Sequence, residues 1–211
     1  MSFLRAQSAL LRRRPLVVGT LTGTGDLRSQ LRRAASPLVD VVELRLDTFP
    51  DIYRPNADVF AKSLIETVRR LGKKPVLLTL RSYTERGQAA PARERLSDSR
   101  REALVAPLLS RSALIDVETR RSGFARRVGA LAKKAGVTVI HSYHDFKGAR
   151  LSGLDRRARR ARAAGADIFK VAVTPRGPGE LEAFLTWGQS LSTASVLIGM
   201  GPASAISRLV G

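Results

Sequence analysis

The sequence predicts an α/β fold of the TIM-type (β/α) barrel, and three observations predict it. Seven short apolar runs rich in β-branched residues alternate with segments of helical pattern, an order typical of parallel strands joined by helical crossovers. The runs are apolar almost throughout, so helices are expected to cover the sheet. Several runs also carry charged side chains toward their carboxyl ends, where a barrel holds its active site.

The strands are predicted from runs of Val, Ile, Leu and Thr that are too short for buried helices. They cover, in order, residues 16–22, 40–47, 75–82, 113–118, 137–145, 167–174 and 195–201. The helices are predicted from the segments between them, which are rich in Ala, Leu and Arg and in several cases free of internal proline. They cover, in order, residues 27–35, 57–71, 98–111, 122–135, 150–164, 179–192 and 202–210.

The second strand favours a barrel over an open doubly wound sheet. Side chains alternate along a strand, so Glu43, Arg45 and Asp47 share one face and the apolar residues between them share the other. An open sheet with helices on both faces has little room for such a charged row, whereas a barrel can point it inward at its mouth. An eight-unit barrel usually takes about 250 residues, and no eighth strand, lid loop or last helix is predicted in these 211 residues.

With 44% hydrophobic side chains, the chain is expected to form a single domain over residues 1–211. Residues 1–15 contain no acidic side chain and are interpreted as a basic N-terminal arm. No apolar run approaches the roughly 20 residues that cross a bilayer, and a hydrophobic secretory core is missing, so we expect a cytoplasmic protein with no membrane partner. The absence of cysteine excludes disulfides, thiolate catalysis and cysteine-ligated metal sites.

The chain carries a net charge of +19, from 37 basic and 18 acidic residues, and only seven of the basic residues are lysine. Such a charge favours anionic partners of some kind, whether nucleic acid, membrane surface or small substrate. In the densest cluster, residues 150–165, the apolar positions Leu151, Leu154, Ala158 and Ala161 recur at spacings of three and four. That spacing predicts an amphipathic helix whose arginines form a solvated face or a polyanion-binding patch. No nucleic-acid partner is expected.

The histidine content argues against a metal site. His141 and His144 are the two histidines of the chain, and at a spacing of three on a strand they point to opposite faces. No phosphate-binding loop motif and no serine-hydrolase motif is present. No metal is therefore predicted.

Lys170 is the strongest candidate for chemistry, because it stands in the middle of an apolar predicted strand. A buried ammonium is costly unless it is paired or loses its proton, and desolvation lowers the pKa of a lysine. One reading is a neutral amine that forms a Schiff base with a carbonyl substrate. The other is a structural salt bridge to Glu43 or Glu118. The strand alone does not decide between them.

The neighbouring strands supply further candidates. His144 lies on the preceding strand and can carry protons near neutral pH. Glu85, in the loop after the third strand, can orient the imidazole of His144. Arg45, Arg81 and Arg208 offer forked donors for a carboxylate or a hydroxyl-rich ligand, although Arg208 can equally be a solvated surface residue.

Taken together, these residues resemble the type I 3-dehydroquinate dehydratases of the shikimate pathway. The resemblance covers nearly the whole chain, and the combination of H-D-F, a lysine on the sixth strand and S-R-L-x-G is specific. It runs in order through 43-ELRLD-47, 79-TLRSYTERGQ-88, 115-IDVE-118, 141-HSYHDF-146, 169-FKVAV-173 and 198-IGMGPASAISRLVG-211.

The resemblance implies a cofactor-free lyase with an (α/β)₈ barrel, often a homodimer, that takes 3-dehydroquinate as its small-molecule substrate. Lys170 would be the Schiff-base lysine, His144 the general acid–base and Glu85 the partner of His144. Arg208 would hold the substrate carboxylate, and Asp116 and Glu118 would have a supporting role. The substrate-binding positions implied on the first three strands are Thr20, Glu43, Arg45 and Arg81.

The family pattern continues past S-R-L-x-G with a further strand and a lid whose Ser and Gln contact substrate, whereas this sequence ends at Gly211. We therefore expect either a truncated sequence or a short form that closes its barrel with its N-terminal arm or a partner subunit. Missing lid contacts are expected to weaken substrate binding more than imine chemistry. Two other functions stay open: a degenerate barrel acting as a basic binding or scaffold protein, and another Schiff-base enzyme such as an aldolase.

Overall fold

Seven parallel strands form the centre of the protein. The computed structural model describes residues 14–85, 95–148 and 150–208. Residues 1–13 of the predicted N-terminal arm lie outside this range. The strands are β1 (Val18–Leu21), β2 (Val41–Arg45), β3 (Val76–Thr79), β4 (Leu114–Glu118), β5 (Thr138–Asp145), β6 (Ile168–Val173) and β7 (Ser195–Gly199).

The strands pair in chain order, each parallel to the next, which is the topology of a (β/α) barrel. In a flat sheet β2 and β6 would lie four strand spacings apart, or about 19 Å. Lys170 Nζ on β6 nevertheless lies 3.9 Å from Glu43 Oε1 on β2. The sheet is therefore strongly curled around an interior. The predicted TIM-type architecture with seven strands is confirmed as an open barrel, because β1 and β7 do not pair with each other in the described residues.

Helices cover the outside of the sheet. They are α1 (Leu27–Ala34), α2 (Ala57–Gly72), α3 (Asp98–Val105), α4 (Ser122–Lys134), α5 (Leu154–Ala163) and α6 (Pro178–Gln189). Local capping sets several of their ends: the Asp26 carboxylate accepts hydrogen bonds from the first backbone N–H groups of α1, and the Ser97 hydroxyl does the same for α3. Within the described ranges, none of the helices is both long and apolar enough to cross a bilayer.

Three predicted helices differ from the observed ones. The segment 98–111 is α-helical only as far as Val105 and continues as a 3₁₀ helix, Ala106–Arg111, because Pro107 has no N–H to donate to the preceding turn. The segment 150–164 begins with a 3₁₀ turn, Leu151–Gly153. The last segment is a 3₁₀ helix, Pro202–Arg208, and residues 209–211 lie outside the described part.

The apolar core occupies two layers, one on each side of the sheet. Outside the sheet, a large cluster packs the strands against α1 to α4, and a second packs β5 and β6 against α5 and α6. Inside the curled sheet lies a smaller cluster built from one residue of each of five strands. These residues are Val41, Leu77, Leu114, Ile140 and Ile168. They form an apolar floor, and the polar residues of the interior lie above it.

Candidate active site

A ring of polar side chains lies directly above the apolar floor. Side chains two apart on a strand point the same way, so the residue that follows each floor residue by two also faces the interior. On β2 to β6 these residues are Glu43, Thr79, Asp116, Ser142 and Lys170. These five polar residues lie in the carboxyl-terminal half of the barrel interior, the end that a (β/α) barrel uses for chemistry.

Lys170 lies between two carboxylates of this ring. Its Nζ donates a hydrogen bond of 3.0 Å to Asp116 Oδ2 and lies 3.9 Å from Glu43 Oε1. Its side chain is 12% exposed, so the amine is largely withdrawn from water yet reachable from the barrel mouth. The predicted pairing with Glu43 is found. Pairing with Glu118 is wrong, because the Glu118 carboxylate points out of the ring and binds Arg101.

Asp116 is a deeply buried charge at the centre of the site. Its carboxylate accepts hydrogen bonds from Lys170, from Arg81 Nη2 at 3.3 Å and from the Ser142 hydroxyl. Burial opposes its ionisation, but the positive charges of Lys170 and Arg81 prevail and hold the pKa of the Asp116 carboxyl below its ordinary value. Asp116 is therefore an anion that joins the amine to the guanidinium.

His144 follows the ring residue Ser142 by two positions on β5 and contacts Arg81. Arg81 Nη1 lies 2.7 Å from the imidazole Nδ1 and also contacts Nε2. A guanidinium only donates hydrogen bonds and a neutral imidazole has one acceptor nitrogen, so one of these two ring nitrogens accepts from Arg81 and the other carries the N–H. Burial and the charge of Arg81 lower the pKa of His144 to about 3, against the opposing effect of Asp116. At neutral pH the site thus holds an imidazole in its basic, uncharged form.

The predicted substrate-binding side chains form the rest of the interior surface. The Glu43 carboxylate accepts hydrogen bonds from the Thr20 hydroxyl at 3.0 Å and the Thr79 hydroxyl at 2.9 Å. Arg45 is held by Asp47 through two hydrogen bonds, of 3.0 Å and 2.8 Å, and its side chain is partly exposed. The structure therefore brings Thr20, Glu43 and Arg45 into the same interior as Lys170.

Two predicted residues have only their backbone in the described part. Glu85 ends the 3₁₀ helix Tyr83–Glu85 in the loop after β3, and Arg208 ends the 3₁₀ helix Pro202–Arg208. The Ser207 hydroxyl accepts a hydrogen bond from the Gly199 N–H and donates one to the Ser204 carbonyl, which ties the second helix to the carboxyl end of β7. The side chains of Glu85 and Arg208 lie outside the described part, and their roles stay predictions.

His141 faces away from the site, on the side of β5 that Tyr143 shares with the outer core. It is buried, and its Nε2 has no hydrogen bond within the described part of the chain. Burial and the nearby Lys133 lower the pKa of His141, while Asp116 and Asp167 oppose the shift. This confirms that the two histidines lie on opposite faces of β5.

The two histidines predict how stability depends on pH. In the folded protein the pKa of each histidine lies below the ordinary value of about 6.5. Below that pH the unfolded chain therefore binds more protons than the folded one. The free energy of unfolding should therefore be constant from about pH 8 to 7 and fall below about pH 6.5, by up to about 1.4 kcal/mol per histidine per pH unit. Urea unfolding between these pH values measures it. His141→Phe should roughly halve the slope, and an unchanged slope would contradict this account.

Sequence reasoning missed part of the network. Asp116 was expected only in a supporting role, yet it binds the amine directly. Ser142 and Asp47, which orient Asp116 and Arg45, were not predicted as site residues. The signal for Ser142 was present, because it follows the apolar Ile140 by two and precedes His144 by two on the same strand face.

Comparison with known proteins relates the chain to one enzyme family. The sequence profile of the family described as type I 3-dehydroquinase matches residues 17–211. The chain is 31% identical over 184 residues to the 3-dehydroquinate dehydratase of Geobacillus sp. WCH70, covering 82% of this chain and 67% of that protein. It is 34% identical over 182 residues to the 3-dehydroquinate dehydratase of Klebsiella pneumoniae, covering 82% and 69%.

Solved structures are similar in fold. The 3-dehydroquinate dehydratase of Aquifex aeolicus matches with a TM-score of 0.79 at 28% identity, over 93% of this chain and 85% of that one. The type I enzyme of Clostridium difficile with covalently modified comenic acid matches with a TM-score of 0.83 over 94% and 80%. At 24% identity the latter likeness concerns the fold alone.

Proposed function

The chain belongs to the type I 3-dehydroquinase family, and from that premise we propose that it is a hydro-lyase that converts 3-dehydroquinate to 3-dehydroshikimate in aromatic amino-acid biosynthesis. One observation carries the proposal. An amine on β6, held between two carboxylates, shares the barrel interior with an uncharged imidazole on β5. This is the pair of groups that an imine-forming dehydration requires.

Lys170 provides the covalent step. Its Nζ, once deprotonated, attacks the ketone carbon of the substrate, and loss of the carbonyl oxygen as water leaves a protonated imine. Asp116 Oδ2, at 3.0 Å, fixes the direction of the amine before the attack. The imine draws electrons from the adjacent C2–H bond, so the C2 proton becomes acidic. After the elimination, a second water hydrolyses the imine, restores the amine and releases the product.

His144 provides the proton transfers. The neutral imidazole takes the proton from C2, which leaves an enamine, and the enamine expels the C1 hydroxyl group. The imidazolium returns its proton to that hydroxyl, so that water leaves and the C1–C2 double bond remains. A base that is uncharged at neutral pH suits the first transfer, and Arg81 favours that uncharged state.

The remaining predicted residues bind substrate. Thr20 and Glu43 form a hydroxyl and carboxylate surface that suits the substrate hydroxyl groups. Arg45 and Arg81 add guanidinium groups, and Arg208 is proposed to bind the substrate carboxylate by a bidentate contact. Glu85 is proposed to orient His144.

The first test combines turnover with chemical trapping. We expect 3-dehydroquinate to be consumed with growth of the absorbance of the conjugated enone product. Borohydride added during turnover should reduce the imine and leave a permanent adduct on the peptide that contains Lys170. Product analysis separates dehydration from an aldolase reaction, which would cleave a C–C bond and give two smaller products. If neither turnover nor an adduct is observed, the result favours a binding or scaffold protein and overturns the proposal.

A further inference from the structure

The main chain just beyond β3 is held by two buried side chains from other elements. Arg101 of α3 donates to the Leu80 carbonyl from Nε at 3.1 Å and from Nη2 at 2.6 Å. Glu118 of β4 accepts a hydrogen bond of 2.5 Å from the Ser82 N–H. The peptide groups on both sides of residue 81 are therefore fixed in place.

Arg101 and Glu118 also bind each other in the interior. Arg101 Nη2 lies 2.5 Å from Glu118 Oε2, and both side chains are 1% exposed. The guanidinium carbon of Arg101 lies 4.0 Å from the centre of the Phe124 ring, and Arg101 Nη1 lies 3.2 Å from Asp98. A buried ion pair usually adds little stability over apolar residues of similar size, because both charges lose their hydration. Stability alone therefore does not account for the Arg101–Glu118 pair, and its contacts with the main chain next to the site suggest that it positions that main chain.

Arg81, between the two fixed peptide groups, is the residue whose geometry they set. Its N–H donates to Asp47 at 3.2 Å, so its backbone is bound as well. Its guanidinium reaches inward to His144 at 2.7 Å and Asp116 at 3.3 Å. A displacement of the Leu80–Ser82 backbone would move the guanidinium away from both partners.

We propose that Arg101 and Glu118 are positioning residues for catalysis: they hold the main chain around Arg81 so that its guanidinium meets the His144 imidazole and the Asp116 carboxylate. Neither residue touches the reacting atoms. The proposal rests on the proposed function, in which His144 is the acid–base. It extends the site outward to α3, an element that bears no predicted catalytic residue.

The protein has only two histidines, which makes the test simple. In the described part of the chain, the charged groups that act on the His144 imidazole include Arg81, Asp116, Lys170 and Arg45. When Arg81 is in place, the His144 proton NMR signals should not titrate between about pH 8 and pH 5, because its pKa lies below that range. In Arg101→Lys the amine cannot make the forked contacts of the guanidinium, and His144 should begin to titrate within this range.

Kinetics give the second readout. In Arg101→Lys, kcat/KM should fall by up to about 100-fold, the loss expected from a displacement of about 1 Å in a catalytic array. The acid limb of the pH profile of kcat/KM should move to higher pH by the same amount as the His144 titration. Glu118→Gln, which keeps an acceptor for Ser82 but loses the charge next to Arg101, should show the same two effects more weakly.

Two further variants keep the test decisive. Val128→Ala, in the outer core on α4, destabilises the fold by a cavity and should leave the His144 titration unchanged. If a single variant fails to fold, the double variant Arg101→Met with Glu118→Leu removes both buried charges together. It should still shift the His144 titration. An unmoved titration in every folded variant, or an equal shift in Val128→Ala, overturns the proposal. The NMR titration needs no substrate, so absence of turnover in the unsubstituted protein would refute the proposed function alone.

Discussion

Lys170→Met is expected to lower kcat by about 10⁴- to 10⁶-fold, the range seen when the nucleophile of a covalent catalyst is removed. Methionine fills a similar volume but has no amine, so no imine forms and the C2 proton is never activated. The fold should survive, since Asp116 keeps the hydrogen bonds from Arg81 and Ser142. Steady-state kinetics and borohydride trapping on the same preparation measure both effects.

Two controls separate the imine from a structural salt bridge. Lys170→Arg keeps a positive charge next to Asp116, but a guanidinium is not a nucleophile at neutral pH. If pairing were the only role of Lys170, this variant would retain activity; we expect it to be as inactive as Lys170→Met. The second control is Lys74→Met. It removes another partly buried lysine, which lies just before β3 and donates hydrogen bonds to the Ser36 and Val39 carbonyls, and it should leave kcat unchanged. Substantial turnover by Lys170→Arg would contradict the assignment.

The inward faces of the strands could be predicted from the sequence because of a simple repeat. On β4, β5 and β6 an apolar residue is followed two positions later by a polar one, as in Ile168 and Lys170. Alternation then places the whole polar set on one face, and chain order places the strands side by side. This is why Lys170 and His144 could be predicted to lie on neighbouring strands at the same end of the sheet.

The partners within that set could not be predicted, because they depend on the depth of each residue in the barrel. Asp116 and Glu118 point to the same side of β4, and the sequence gives no reason to prefer either as the partner of Lys170. In the structure Asp116 pairs in register with Thr79, at the level of the polar ring. Glu118 lies one step nearer the carboxyl end, where α3 offers it Arg101. The stagger of the strands in the curled sheet, which the sequence does not reveal, makes this choice.

Burial of Arg101 was equally invisible in the sequence. The segment 98-DSRREALV-105 has two adjacent arginines, and its pattern does not distinguish the exposed Arg100 from the buried Arg101. What buries Arg101 is the Phe124 ring from α4 together with the acceptors Leu80 and Glu118. These contacts join residues far apart in the chain, and only the folded structure brings them together.

Asp116→Ala is expected to reduce the free energy of unfolding by about 3–5 kcal/mol, the cost of removing one partner from a buried charge cluster. The loss is large because Lys170 and Arg81 would be left as two buried cations without the carboxylate between them. Turnover should also fall sharply, since the amine loses the group that directs it. Urea unfolding at neutral pH and the enone assay measure the two effects.

The pH dependence of that loss identifies its electrostatic origin. The folded pKa of Asp116 is lowered, so its charge stabilises the fold above the ordinary carboxyl pKa of about 3.9 and ceases to do so as the pH falls toward the folded value. The difference in stability between the unsubstituted protein and Asp116→Ala should therefore shrink below about pH 4. Asp51→Ala, which removes an exposed carboxylate 3.8 Å from Arg54, should cost at most about 1 kcal/mol. Equal losses for Asp116→Ala and Asp51→Ala would mean that the buried cluster contributes no more than a surface pair, and that the site gains its geometry from the apolar floor alone.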